Sequence, residues 1–403
     1  MNKKIIALAV GSAIGALGAS AAFAQSNVTL SGSLNFNYGM FDNGGAGFAT
    51  ATTNAAGVSK VKYDGINNQE SQWAIAGEEK LDGGMTAFFL CSTSMDITGG
   101  TAANMCARNS YIGLKGGFGS INMGNYDAPA KRMTAMYDPF PISAAMGQGA
   151  QMWNATASNT VNGATPASFS RRQANLVTYD TPSMNGVDAS FAFTSTNEAS
   201  ASTSATTVTK PRMWSTMVNY TNGPLGLGFA YENHHNYNPA AAGAAYTGGD
   251  DTMLSLAAGY QVSSALRLSG IWNSIKYDKV NAALQDMSVK TWGLYADWNV
   301  TGPYRVRAGY SVQASTSGSF GAGAQANTAA IGVWQGNGGA GNTGAQKIHL
   351  EGVQALSKRT EVGLTYAQIS NDRYSNITIG TGGANTNFGE KATFMGMLIR
   401  HKF

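Results

Sequence analysis

Apolar and polar residues alternate with a period of two through most of this chain. Past the first residues, no apolar run is long enough for a membrane-spanning helix. Leu254, Leu256, Ala258, Tyr260 and Val262 share one face of an extended segment, while Ser255, Ala257, Gly259 and Gln261 share the other. After a short Ser263-Ser264 turn, Leu266, Leu268 and Trp272 oppose Arg267, Ser269 and Asn273. Next, Trp292, Leu294, Ala296, Trp298 and Val300 stand against Thr291, Gly293, Tyr295, Asp297 and Asn299. Tyr304, Val306, Ala308, Tyr310 and Val312 then oppose Arg305, Arg307, Gly309, Ser311 and Gln313. Segments of this kind need one apolar and one aqueous neighbour, so the expected fold class is all-β.

Alternation alone does not separate a soluble sandwich from a transmembrane barrel. Three features choose the barrel. Apolar faces begin or end on aromatic residues, as at Trp292/Trp298 and Tyr304/Tyr310, where an interfacial girdle would sit. Only 12% of residues are charged, where a soluble domain carries about 25%. The chain also opens with an export signal: Lys3 and Lys4, a short apolar stretch from Ile5 to Ala19, then Ala22-Phe23-Ala24 for cleavage after Ala24. Residues 1–24 are therefore expected to be removed, leaving 25–403 as the barrel. Losing Lys3 and Lys4 takes the net charge from +4 to +2, and no Lys/Arg block stands out, so nucleic acid is excluded as a partner.

Connections alternate between tight and long. Tight turns fall at 82–84, 116–119, 222–223, 263–264, 301–302 and 357–358; long stretches near 42–68, 126–172, 196–211, 233–250, 314–345 and 371–389 are rich in small and polar residues. Short turns on one side and long loops on the other are the outer-membrane pattern. Sixteen strands are expected, starting near Asn27, Glu70, Met85, Met105, Ser120, Ala174, Val187, Arg212, Pro224, Asp251, Ala265, Ser288, Pro303, Gln346, Arg359 and Glu390. An even number closes the barrel without an open edge, and sixteen leave an aqueous lumen.

Candidates for chemistry are few. Cys91 and Cys106 flank a turn-like Asp-Ile-Thr-Gly-Gly, and the exported location permits a disulfide, with two buried free thiols as the alternative. Two cysteines far from all four histidines do not make a metal site, and no cofactor motif appears. A barrel enzyme would need a nucleophile beside His234, His235 or His349, and no nucleophile motif surrounds any serine. A plugged transporter needs a globular domain before its first strand, for which a strand beginning near Gln25 leaves no room. An adhesive role for the Gly/Ala/Asn-rich loops is compatible with conduction.

Several segments, in order, resemble the trimeric porins of Gram-negative bacteria, most closely the β-proteobacterial branch. These are Ser26 to Gly32, Gly77 to Phe88, Arg108 to Gly119, Asn175 to Pro182, and the ending Arg400-His401-Lys402-Phe403. The resemblance implies an outer-membrane homotrimer passing small hydrophilic solutes, with the 126–172 loop folded into each barrel as a constriction. It implies contact with outer-membrane lipid and lipopolysaccharide, and passage through periplasmic chaperones and the barrel-assembly machinery, which reads Phe403. It places Arg108, Asp127, Asp138, Arg171 and Arg172 at the narrowing; Arg305 and Arg307, on the polar face of their strand, and Lys115 are further candidates to line the lumen. Basic residues frequent in such proteins are replaced here by Gln72, Asn125 and Thr178, which makes the expected throat less basic.

Overall fold

The computed structural model describes residues 27–45, 62–96, 98–99, 104–140, 169–194, 212–235, 250–278, 286–318, 342–373, 375, 377, 379 and 389–403. The expected leader 1–24 and the middle of the 126–172 loop lie outside these residues.

The alternating segments become sixteen antiparallel spans. They are β1 Asn27–Asp42, β2 in two pieces (Lys62–Asn68 and Gln72–Lys80), β3 Thr86–Ser94, β4 Ser110–Gly116, β5 Gly119–Asp127, β6 Arg172–Asp180, β7 Val187–Thr194 and β8 Arg212–Asn222. The second half comprises β9 Leu225–His235, β10 Asp250–Gln261, β11 Leu266–Tyr277, β12 Met287–Thr301, β13 Tyr304–Gln313, β14 Ala345–Ala355, β15 Thr360–Asn371 and β16 Lys391–Lys402. Each strand pairs with the next, and β1 pairs with β16 from Ser33↔Lys402 to Asp42↔Thr393, closing the ring. Closure leaves no row of unpaired backbone groups for lipid to meet. A two-residue strand, Ser317–Gly318, pairs with the start of β12 and spans nothing.

All but two expected strand starts lie within two residues of the observed ones. The second strand begins at Lys62, not Glu70, so Lys62–Asn68 is strand where a loop was expected. The cause is a break at residues 69–71. There Gln69 N–H donates to Asn35 O, while the Ser71 hydroxyl accepts from Asn35 N–H and donates to Asn35 O. The fourth strand begins at Ser110, not Met105. Cys106 has φ of +58°, outside the extended region, and is joined to Cys91 by a disulfide with Cα atoms 4.7 Å apart. The bridge ties the root of the 95–109 loop to β3.

The two faces separate as the period requires. Outward, Leu364 on β15 is 66% exposed and Met395 on β16 61%; inward, Ala367 and Phe394 on the same two strands are fully buried. On β12 and β13 the outward row contains Trp292, Leu294, Trp298, Tyr304 and Tyr310, with Trp292 and Tyr310 in edge contact at 5.6 Å. An apolar girdle this extensive would aggregate in water and is stable against hydrocarbon.

One helix departs from the all-strand expectation. Helix α1, Pro129–Tyr137, follows β5 and folds inward against β8 to β11. Pro129 suits the first turn, where a backbone N–H has no helical partner. Pro129, Ala130, Met133, Thr134 and Tyr137 form its buried stripe. That stripe follows the 3.6-residue period and could have been read from the sequence. Gly228 on β9 allows the approach: a Cβ there would lie 2.8 Å from Met133 Sδ and from Tyr137 Cε2.

Candidate functional site

The first limb of the inward loop crosses the lumen from β5 towards β14, held by a polar contact at nearly every step. Ala130 N–H donates to Ser215 Oγ at 3.1 Å, and Tyr137 Oη to Asn219 Oδ1 at 2.7 Å. The Ser269 hydroxyl donates to Tyr137 O at 2.5 Å, and Arg267 Nη2 to Met136 O at 3.3 Å. Past the helix, Asp138 accepts from Phe140 N–H at 3.0 Å, a side-chain turn that redirects the chain. Phe140 then stacks on His349 of β14, with ring centres 3.8 Å apart, and meets Tyr295 of β12 edge-on. Asp138 lies close enough to act electrostatically on Tyr295 and the buried Lys347. On the returning limb, Phe169 stacks on His234, which is paired with Glu232 at 2.7 Å, all three fully buried.

The root of the loop is a compact charged knot. Asp127 accepts from Lys131 Nζ at 2.9 Å and from Asn109 Nδ2 at 3.0 Å, and lies 3.3 Å from Arg172 Nε. Arg172 also donates to Asn109 Oδ1 at 2.8 Å, and Arg108 pairs with Glu70 at 3.0 Å. Arg171 is buried, and its carbonyl accepts from Ala128 N–H at 3.1 Å. Arg108, Asp127, Arg171 and Arg172 therefore gather at the loop's entry and exit, while Asp138 sits across the lumen. Glu70, Asn109 and Lys131 join the knot without having been singled out in the sequence. Lys131, four residues from Asp127 at a helix start, was the readable signal.

Further down, charges on the barrel wall pair with each other. Arg305 Nε donates to Asp297 Oδ1 at 2.5 Å. Glu351 bridges Arg307 and Arg400, with Arg400 Nη2 at 2.6 Å, and Arg400 also reaches Glu361 at 2.7 Å. Lys115 pairs with Glu78. On α1, Arg132 pairs with Asp180 at 2.6 Å and with the Ser190 hydroxyl. Burial works against the Arg132 charge, yet the adjoining Tyr126 and Asp180 hold its pKa above the ordinary arginine value. Arg267 differs from these: it caps the Tyr137 ring at 5.7 Å and, among the described residues, forms no ion pair.

Between these charges lies an uncharged polar wall. Ser33, Asn35 and Asn37 on β1, Ser92 on β3, Asn122 on β5 and Thr178 on β6 all face inward and are buried. Gln72 shares this face, accepting from the Ser92 hydroxyl at 3.3 Å. Asn125 instead sits at a bulge and donates to the carbonyls of Ala107 and Arg108, both at 3.0 Å. The C-terminal Phe403 exchanges two 3.0 Å backbone hydrogen bonds with Gly32, its ring 40% exposed on the outer surface. Among the described residues, no group of three or more His, Cys, Asp or Glu could hold a metal ion.

Comparison with known proteins points one way. The family described as Gram-negative porin matches residues 7–374. Outer membrane porin protein 32 of Delftia acidovorans is 27% identical over 411 residues, covering 100% of both chains. An outer membrane porin protein of Bordetella pertussis is 25% identical, covering 96% of each. Among solved structures, an anion-selective porin from Comamonas acidovorans superposes with a TM-score of 0.70 at 23% identity, over 94% of this chain and 100% of that one.

Proposed function

The chain belongs to the Gram-negative porin family, and from that premise we propose a passive channel for small hydrophilic solutes and ions. The channel lies in the outer membrane, where the family's curated relatives are outer-membrane porins. The observation that carries this reading is the inversion of an ordinary protein: apolar side chains outside, polar and charged ones inside a closed sixteen-strand ring. A ring of that size leaves a water-filled lumen, which the inward α1 limb reduces. Transport needs neither bond chemistry nor energy coupling, and the chain acts as a channel, not an enzyme.

Narrowing falls between the 126–172 loop and the facing wall. Arg108, Asp127, Asp138, Arg171 and Arg172 set its local field, and Lys115, Arg305 and Arg307 line the approach. Opposed charges in a narrow, low-dielectric throat focus the field far more than in bulk water. Three barrels assemble as a homotrimer through outward apolar faces, surrounded by outer-membrane lipid and lipopolysaccharide. Residues 1–24 are cleaved on export, and chaperones deliver the chain to an assembly machinery that reads Phe403.

Single-channel recording in a planar bilayer tests the reading. Purified folded protein should give discrete conductance steps, and their absence would sink the channel assignment. Arg108→Gln should move the reversal potential if Arg108 borders the throat. Mass spectrometry of the exported protein should find Gln25 at its N-terminus.

A further inference from the structure

Between β11 and β16, towards the short turns, arginines and carboxylates share the lumenal wall unequally. Asp297 of β12 lies in register with Arg267 of β11 on one flank and with Arg307 of β13 on the other. It serves neither. Both of its oxygens are taken by the fork of Arg305, with Nε donating to Oδ1 at 2.5 Å and Nη2 to Oδ2. Arg307 turns instead to Glu351, and Arg400 spans Glu351 and Glu361. Asp297, Glu351 and Glu361 are thereby matched by Arg305, Arg307 and Arg400. Arg267 is left over, and among the described residues it forms no ion pair.

What holds Arg267 is uncharged. Its Nη2 donates to Met136 O at 3.3 Å, and its guanidinium lies 5.7 Å from the centre of the Tyr137 ring, both at the end of α1. Gly259 of β10 makes room for this, since a Cβ there would lie 3.0 Å from Nη2. A backbone carbonyl and an aromatic face orient a cation without neutralising it. The side chain is half-buried, so water reaches it, and it starts from the second residue of β11, just past the 263–264 turn. A paired guanidinium presents only a dipole to a passing ion, whose field decays faster with distance than that of a lone charge.

We propose that Arg267 is a specificity-determining residue of the channel. Its surplus positive charge, fixed at the end of α1 on the short-turn side of the inward loop, favours anions over cations there. This rests on the passive-channel reading and names a residue that governs selectivity in the same lumen.

The test is the anion-to-cation permeability ratio, read from the reversal potential in a planar bilayer under a potassium chloride gradient. Arg267→Gln should lower that ratio about twofold, the effect of one unit charge at roughly 8 Å in water screened by about 0.1 M salt. Arg267→Lys keeps the charge but not the planar fork, and should keep most of the native ratio. Because the charge lies to one side of the narrowing, native current at equal salt should differ between the two voltage polarities, and Arg267→Gln should reduce the difference. A ratio or a polarity difference unchanged in Arg267→Gln overturns the inference and leaves the channel standing. So does a ratio lost equally in Arg267→Lys, because the side chain would then act only by seating α1. Native protein without conductance steps overturns both.

Discussion

The Tyr137 hydroxyl donates a 2.7 Å hydrogen bond to Asn219 Oδ1, joining the last turn of the inward helix to the lumenal face of β8. Both groups are buried, so the bond is made away from competing water. Tyr137→Phe leaves the Asn219 oxygen without this donor and should cost about 1 kcal/mol of loop anchoring. Increased current noise within each open level, at unchanged mean conductance, is the expected reading. A channel as quiet as the parent would show that packing alone holds the helix.

At Gly228 the wall has no room for a side chain beneath the helix. A Cβ there would meet Met133 and Tyr137 together, and the backbone of β9 has neighbours on both sides that fix it. Gly228→Val should push α1 into the lumen and lower single-channel conductance, with the barrel itself intact by circular dichroism. Overpacking of this kind costs about 1–3 kcal/mol.

Glu351 carries the negative charge between Arg307 and Arg400. Glu351→Gln keeps the size and an acceptor but removes that charge, taking the carboxylate from the buried Arg307 and leaving Arg400 with Glu361 alone. The reversal potential should shift towards anions, and the folded barrel should denature at lower temperature, since removing one partner of a buried pair costs about 3–5 kcal/mol. Adding Arg307→Gln should return the potential towards its native value. No shift in the single variant would place Glu351 away from the ion path.

The disulfide encloses a sequence separation of 15 residues. Cross-linking a loop of that length removes unfolded-state entropy equivalent to about 3 kcal/mol. Cys91→Ala with Cys106→Ala should therefore lower the temperature at which the barrel loses its compact electrophoretic mobility. Reducing agent should bring the native protein to the same temperature and leave the double variant unchanged.

The barrel was legible because a strand's faces are fixed by parity. Leu254 to Val262 and Tyr304 to Val312 state in sequence which side meets lipid, whatever their neighbours are. The two displaced strand starts show where that logic stops. At Glu70 and Met105 the chain is governed by distant partners, Asn35 for one and Cys91 for the other, and local alternation carries no record of them. Helix α1 is hard to read from the sequence for a different reason: nine residues of helical periodicity are brief inside a long loop, though Pro129, Met133 and Tyr137 mark them.

By itself, then, the sequence determined the all-β class, the inside and outside of each strand, and the alternation of turns and loops. These follow from local chemistry, because side-chain direction in a strand depends only on residue parity. Only the tertiary structure decided what each lumenal charge is worth. Arg305 and Arg307 read as bare positive charges along a strand, but the register of the two adjoining strands brings Asp297 and Glu351 against them. An electrostatic field is a sum over distances in space, and a linear sequence fixes none of those distances between strands.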